Sequence, residues 1–448
     1  MKLTKLSLIA AMLIGSTAFA IENTKVSGNV SVFYGTMDSD VGTYKSVLGG
    51  TTPSFFDAEG AYGNAAANLE LTTDLTKGVS AGVKGTYVTT LGLENNLVDN
   101  TWSNVHTISD AAGASFASEL GGKQLDDAFF MGELWVAGTA FDTTVKVGRQ
   151  SVDTPLAFTE TWGIDQNTFE GAVLINQSIP DTTLVATYLG KHNGSSWDPK
   201  NTGNPLAPGT LNDINLVAAG LTNGLQGGAA QAGITSQGGK FNTFGTNGVY
   251  VAGLVNNTIK PLTVQAWYYS LQQLADAMWF QADLNVGGIL AGVQYTEIEV
   301  NNSDEDEAFA AMLGYEAKDV ATVKVAYSDV DDKGTLGVAN VATTTGQSKL
   351  YTEMWWAYGN VSSTGAESYS ITAEGTVAGV DLLAGYYVAD INPSAAVDTE
   401  VTEIALVASK SFGPLDTSVA IILDNEEDNV ANTDYDTNHI QIYLTYNF

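Results

Sequence analysis

Apolar and polar residues alternate with a period of two along many stretches of this chain. The alternation is clearest in residues 439–448, the last ten of the sequence. One face of this stretch carries His439, Gln441, Thr445 and Asn447, and the other carries Ile440, Ile442, Leu444, Tyr446 and Phe448. A strand with one polar and one apolar face suits a barrel wall that meets water inside and lipid outside. The pattern therefore predicts a lipid-facing barrel strand at this end.

The same period predicts 18 strands in all. They lie at residues 26–36, 65–74, 79–89, 129–138, 143–150, 168–176, 183–190, 249–255, 262–270, 277–285, 289–298, 308–316, 321–329, 368–377, 381–389, 402–411, 417–424 and 439–448. The connections after even-numbered strands hold two to six residues, and most of the others are much longer. A β-sandwich or a solenoid also alternates, but neither explains this succession of connections. We therefore expect an all-β fold, a transmembrane antiparallel β-barrel of about 18 strands with short periplasmic turns and long extracellular loops.

The first twenty residues have the features of a secretory signal peptide. Lys2 and Lys5 precede an apolar stretch at residues 6–14, and small residues stand at Ala18 and Ala20. The apolar stretch is too short to span a bilayer as a helix. We expect cleavage after residue 20, a single barrel domain at residues 21–448, and a location in the outer membrane of a Gram-negative bacterium.

Charge is strongly unbalanced. The chain has 50 acidic and 18 basic residues, for a formal net charge of −32, and no cysteine. Losing Lys2 and Lys5 with the signal peptide would change −32 to −34. Such a field repels nucleic acid and favours cations. Without cysteine, closure of the hydrogen-bonded sheet and burial must replace disulfides.

Strand parity predicts which charged side chains face the interior. A lysine at the lipid midplane costs about 2–4 kcal/mol, so lysines in the strands should face water. By this argument the inner wall carries Lys84, Lys324, Glu70 and Glu374. The same parity assigns Phe169, Val173 and Ile175 to the lipid face and directs Glu170 inward. Such an interior is wet and suits passage of small polar solutes better than storage of an apolar ligand.

The segment after the fifth strand is predicted to narrow the interior. It holds Asp153, Glu160 and Asp165, with Pro155 and Trp162 as anchors. Folded inward, its carboxylates would oppose wall lysines and select ions.

Arg149 is the only arginine of the chain and ends the strand before this segment. Its parity with Val145 and Val147 directs it toward lipid. Two interpretations remain open: a break in the strand lets Arg149 reach the loop carboxylates, or it anchors the rim to lipopolysaccharide phosphate or to an interfacial acid.

A family resemblance rests on these residues. Gly148-Arg149-Gln150, Pro155, Thr168-Phe169-Glu170-Gly171 and the final Tyr446-Asn447-Phe448, together with the signal peptide and the 18-strand rhythm, resemble the major outer-membrane protein porins of campylobacter-type bacteria. That group is related to the OprD-type porins. The resemblance implies an inward-folded third loop, a homotrimer, cation selectivity and a structural calcium ion, which would fall on Asp153, Glu160 and Asp165. OprD-type relatives carry a ladder of wall arginines for carboxylated substrates, and this chain lacks it.

The sequence thus predicts a cation-preferring porin that passes small cationic or neutral hydrophilic solutes. Its expected partners are outer-membrane lipid and lipopolysaccharide, and no cofactor is expected to be required. A substrate-specific channel is the first alternative. The second is a barrel that displays an adhesive loop at residues 191–247. No enzyme is predicted, because three scattered histidines and the absence of a Gly-x-Ser-x-Gly motif offer no catalytic constellation.

Overall fold

The computed structural model describes residues 22–40, 54–57, 60–91, 128–162, 164–193, 241–243, 248–272, 275–301, 304–334, 337–341 and 347–448. The predicted signal peptide and most of the 191–247 insertion lie outside these described residues. Within the described part of the chain, no helix is long and apolar enough to cross a membrane.

Eighteen strands of eight residues or more form one antiparallel sheet, and we number them β1 to β18 in chain order. The first nine are β1 (Glu22–Ser39), β2 (Ala61–Thr76), β3 (Val79–Thr89), β4 (Ala128–Ala140), β5 (Thr143–Gln150), β6 (Phe169–Asn176), β7 (Thr182–His192), β8 (Val249–Asn256) and β9 (Leu262–Leu271). The others are β10 (Ala275–Val286), β11 (Ile289–Val300), β12 (Asp306–Ala317), β13 (Ala321–Val330), β14 (Ala366–Val377), β15 (Val380–Ser394), β16 (Val397–Phe412), β17 (Leu415–Asp428) and β18 (Thr433–Asn447).

The sheet closes on itself between its first and last strands. Val32 of β1 lies opposite Ala65 of β2 on one side and opposite Leu444 of β18 on the other. Closure leaves no strand edge, so each strand finds hydrogen-bond partners on both sides. The predicted closed 18-stranded barrel is confirmed.

The two faces of the wall differ as the alternation predicts. Val323 and Val325 of β13 are exposed on the outer face. Lys324 between them contacts Glu374 of β14, with 3.4 Å between Nζ and Oε1. The opposite parity gives these charged side chains the inner face, where water can solvate them.

The connections differ between the two rims of the barrel. Those after even-numbered strands are short throughout the described chain, and we call this end the turn rim. At the other end, the loop rim, the connections after β15 and β17 are short as well, because their flanking strands continue past the predicted boundaries. The acidic stretch at residues 424–436 belongs mostly to β17 and β18, which extend beyond their predicted bounds of 417–424 and 439–448.

Candidate functional site

The connection between β5 and β6, residues 151–168 without the undescribed position 163, folds into the barrel, and we call it loop A. Leu156 and Ala157 are buried in one cluster with the wall residues Phe169 and Trp279. The backbone N–H of Leu156 donates to the hydroxyl of Tyr269 on β9, at 3.1 Å. Apolar side chains thus seat loop A against the inner wall, as predicted for the third loop.

A second inner loop, loop B, connects β13 and β14 and covers residues 331–365, without the undescribed positions 335–336 and 342–346. Its main anchor is Glu403, a fully buried carboxylate on β16. The backbone N–H groups of Trp355, Trp356 and Ala357 donate to this carboxylate at 2.9, 2.9 and 2.6 Å. Sequence analysis did not identify this loop.

Loop B also contacts a neighbouring part of the wall, on β18 and β2. The ring of Trp356 lies 6.5 Å from that of Tyr62 on β2 and 5.2 Å from that of His439 on β18, measured between centroids. Tyr62 and His439 are themselves hydrogen-bonded, with 3.0 Å between the hydroxyl and Nδ1. Loop B is therefore held by wall residues on β16, β18 and β2.

The two loops are joined to each other inside the barrel. The side-chain N–H₂ of Asn340 donates to the backbone oxygen of Phe158 at 2.8 Å and to Oε1 of Glu160 at 2.7 Å. The N–H of Val341 donates to the oxygen of Leu156 at 2.9 Å. Since each loop is also fixed to the wall, the pair forms one structural unit across the interior.

The three predicted loop carboxylates have different environments. Asp153 is exposed over 82% of its side chain and pairs with Lys349 of loop B, with Nζ and Oδ1 2.6 Å apart. Glu160 is 1% exposed and accepts from Asn340 and from the backbone N–H of Gln347 at 3.0 Å. Asp165 is 4% exposed. Only Asp153 among the three presents its charge to solvent.

Asp165 is a buried acid with an incomplete set of partners. Its Oδ1 accepts from the backbone N–H of Gln166 at 2.8 Å, whereas Oδ2 has no hydrogen-bond partner among the described residues. Burial raises the pKa of Asp165 to about 7, against the opposing effects of the Gln166 N–H and the charge of Lys84. Burial likewise raises the pKa of Glu353 in loop B to about 7.

The three loop carboxylates do not fit the calcium site that the resemblance implies. Each has separate partners, and within the described residues no three acidic or histidine side chains lie close enough together to hold a metal ion. Asp153 already has a cation at its carboxylate, and Glu160 is satisfied by neutral donors.

Charges of both signs alternate on the inner wall next to loop A. Glu70, Lys84 and Glu133 lie directly opposite one another on β2, β3 and β4. Lys146 of β5 lies over the ring of Trp135, 4.3 Å from its centroid. A cavity of about 240 Å³ adjoins this patch and is lined by Asn29, Asn68, Lys84, Asp165, Gln166 and Tyr443, among others. The wall here is polar, charged and open to small solutes.

The structure places Arg149 and Glu170 on the outer face. This corrects the assignment of Glu170 to the interior and the interpretation in which Arg149 reaches the loop carboxylates. Arg149 lies opposite the exposed Leu134 and opposite Glu170. The next pair along β5 and β6, Gln150 and Phe169, has the opposite parity and is buried. The parity argument took Phe169 for a lipid-facing residue. It instead packs against loop A, because an inward-folded loop brings apolar side chains that need an apolar wall.

A closed barrel narrowed by two inner loops is thus the class of structure that these observations define.

No protein-family model and no curated protein matches the sequence. Solved structures of Pseudomonas aeruginosa proteins are similar in fold. OccK3 (OpdO) is 14% identical, with 96% of both chains covered and a TM-score of 0.62. OccK9 (OpdG) is 14% identical, with 96% of this chain and 100% of that chain covered and a TM-score of 0.63. OpdK, whose structure was determined with vanillate, is 12% identical, with coverages of 96% and 99% and a TM-score of 0.62.

Proposed function

We propose that this protein is an outer-membrane porin, a water-filled channel for diffusion of small hydrophilic solutes and ions. The observation that carries the proposal is the inner wall: charged and polar side chains face an interior narrowed by loops A and B. Exposed apolar side chains cover the outer face, as a barrel in lipid requires. The fold shared with the OccK structures and the sequence resemblance to porins support the same function.

We further propose a preference for cations. The chain carries 32 more acidic than basic charges, and the exposed carboxylate of Asp153 lies on loop A. The wall beside it is nearly balanced, because Lys84 and Lys146 accompany Glu70 and Glu133. The overall acidic field therefore supports the preference more than the local wall does. The homotrimer remains a proposal from the resemblance alone.

Recording in planar lipid bilayers tests both proposals. Purified protein should insert in discrete conductance steps, and a salt gradient should give a reversal potential of the sign for cation flow. A barrel that passes almost no current would refute the channel and favour the adhesive alternative. Ion current carried mainly by anions would refute the cation preference and leave the channel intact.

A substrate-specific channel is the second candidate, favoured by the 240 Å³ cavity beside loop A. Its lining offers amide, hydroxyl, lysine and carboxyl groups within one small volume, which suits a small polar solute. A saturable block of ion current by one solute, absent with solutes of equal size, would support this candidate. Current reduced equally by all solutes of that size would support general diffusion.

A further inference from the structure

Four residues form a row on the outer face of β4 to β7. Leu134, Arg149, Glu170 and Lys191 lie directly opposite one another on successive strands. Leu134 is 55% exposed. The row lies near the loop rim, where β5 and β7 end and β6 begins. Arg149 and Lys191 therefore project from the outer surface of the barrel rather than into its interior.

Glu170 holds the two cations side by side. Nε of Arg149 donates to Oε1 of Glu170 at 2.7 Å, and Nζ of Lys191 lies 3.5 Å from Oε2. The guanidinium also donates to the backbone oxygen of Met131 at 3.1 Å and lies 4.1 Å from the ring centroid of Phe241. Two cations share one carboxylate, so the cluster keeps one positive charge. Both cationic side chains remain partly exposed, at 31% and 49%.

An apolar groove of about 410 Å³ lies directly below this cluster on the same face. Ala172 follows Glu170 by two residues, lines the groove and lies opposite Tyr188. The lining is almost wholly apolar and includes Val145, Ala172, Leu174, Ala186, Tyr188 and Tyr250. Small side chains between larger ones leave a depression in which an extended hydrocarbon chain fits.

Elsewhere the outer face at the loop rim is acidic. Asp329, Glu367, Asp390, Glu400, Glu427 and Asp434 lie directly opposite one another on six successive strands, β13 to β18. Among basic residues of the described strands, only Arg149 and Lys191 lie on the outer face at this rim. A negatively charged headgroup is thus attracted to β5 and β7 and repelled by β13 to β18.

We propose that this cluster and groove form a binding site for a phosphate-bearing lipid of the outer leaflet. The phosphate lies against Arg149 and Lys191, and an acyl chain lies in the groove beneath them. Guanidinium and ammonium groups are the usual partners of lipid phosphates. Glu170 positions both cations and limits their net charge. The inference rests on the proposed location of the barrel in the outer membrane.

The test is lipid binding by the full-length barrel in a nonionic, phosphate-free detergent. Bisphosphorylated lipid A is compared with the same lipid after its phosphates are removed, by native mass spectrometry and by the shift in thermal unfolding. The phosphorylated form should bind and stabilise the barrel, whereas inorganic phosphate alone should do neither. Equal binding of the two lipids would overturn the proposal, and so would inorganic phosphate that reproduces the stabilisation.

Variants assign the binding to these residues. R149Q/K191Q should bind phosphorylated lipid about 25-fold more weakly, roughly fivefold for each cation removed. K410Q is the matched control, because Lys410 shares the outer face of β16 with Phe412 at the turn rim and should bind normally. A186F keeps both cations but fills the groove, and should weaken binding of acylated lipid. Unchanged binding in both R149Q/K191Q and A186F would refute the site.

Bilayer recordings on the same preparations separate this inference from the proposed channel. R149Q/K191Q should keep the conductance of the unmodified protein, because both residues lie outside the interior. Lipid binding without ion current would refute the channel and leave the lipid site. Ion current without phosphate-dependent binding would refute the lipid site and leave the channel.

Discussion

The amide of Asn340 on loop B donates to the carboxylate of Glu160 on loop A, with 2.7 Å between Nδ2 and Oε1. Both residues are almost completely buried, and the same amide bonds the backbone of Phe158. A buried carboxylate that loses a donor is costly because no water replaces it. The position of each inner loop therefore depends on the other.

Removing this link should loosen both loops. We predict that N340A increases the current noise of the open channel and lowers the thermal stability of the barrel, because the buried carboxylate of Glu160 loses a donor. N360A is the control, since within the described residues the side chain of Asn360 donates only to the oxygen of Ala357, in the same loop. Equal noise in N340A and N360A would show that the loops are held independently.

Loop B should be released by changing its wall anchor. Each hydrogen bond to a charged acceptor contributes about 1.5–3 kcal/mol, and Glu403 accepts three from loop B. We predict that E403A lowers stability and increases single-channel conductance. E367Q changes a carboxylate on the outer face, away from loop B, and should leave the conductance unchanged. An E403A channel of unchanged conductance would mean that loop B does not narrow the passage.

Selectivity should depend on Asp153 more than on the other two loop acids. Asp153 is exposed and paired with Lys349, whereas Glu160 and Asp165 are buried. We predict that D153N reduces the cation preference and K349Q increases it, as measured by reversal potential in a salt gradient. D153N and the triple variant D153N/E160Q/D165N should shift the potential by similar amounts. A much larger shift in the triple variant would assign selectivity to the buried acids.

Docking of loop A should weaken as pH rises toward neutrality. Burial raises the pKa of Asp165 to about 7 from an ordinary value of 3.8, so the docked loop binds this proton more tightly than a released loop does. Docking of loop A is therefore strongest at pH values below the ordinary pKa of 3.8. It weakens as pH rises from there to about 7 and changes no further above pH 7. The groups that face the carboxyl are the Gln166 N–H and the charge of Lys84, and both limit the effect.

Channel noise recorded from pH 5 to 9 measures this dependence. The noise of the unmodified protein should rise between pH 5 and about 7 and stay level above that. Glu353 acts in the same direction on loop B, because its pKa is also raised to about 7. D165N should therefore reduce the pH dependence, and D165N/E353Q should abolish it. A pH dependence that persists in the double variant would assign it to other groups.

Gly148 should tolerate no side chain. Its φ is +128°, and an added Cβ would lie 2.1 Å from the backbone oxygen of Leu134 on β4. We predict that G148A destabilises the barrel by about 1–3 kcal/mol through backbone strain. G138A is the control, because the only contact of its Cβ within 4 Å is at 4.0 Å. Thermal unfolding in detergent compares the two variants.

The strands were predictable because lipid and water impose opposite chemistry on alternate residues. The same rule failed at Glu170, where Phe169 and Val173 pack toward loop A instead of lipid. Loop B was missed because residues 331–365 have no periodic pattern, and its anchor Glu403 is distant in sequence. The available signal for this anchor was an acidic residue, Glu403, on the inner face of a long strand with many apolar residues. Pairings such as Asn340 with Glu160 depend on three-dimensional packing that one sequence does not encode visibly.

The row of six carboxylates on β13 to β18 has a consequence for how the barrel responds to dissolved salt. Like charges on directly opposed residues repel, and ions at about 0.1 M screen that repulsion beyond roughly 10 Å. Lowering the salt concentration should therefore weaken the strand pairing of β13 to β18 first. The attraction within the Arg149–Glu170–Lys191 cluster instead becomes stronger as screening decreases. The local stability of these two parts of the barrel wall thus changes in opposite directions with ionic strength.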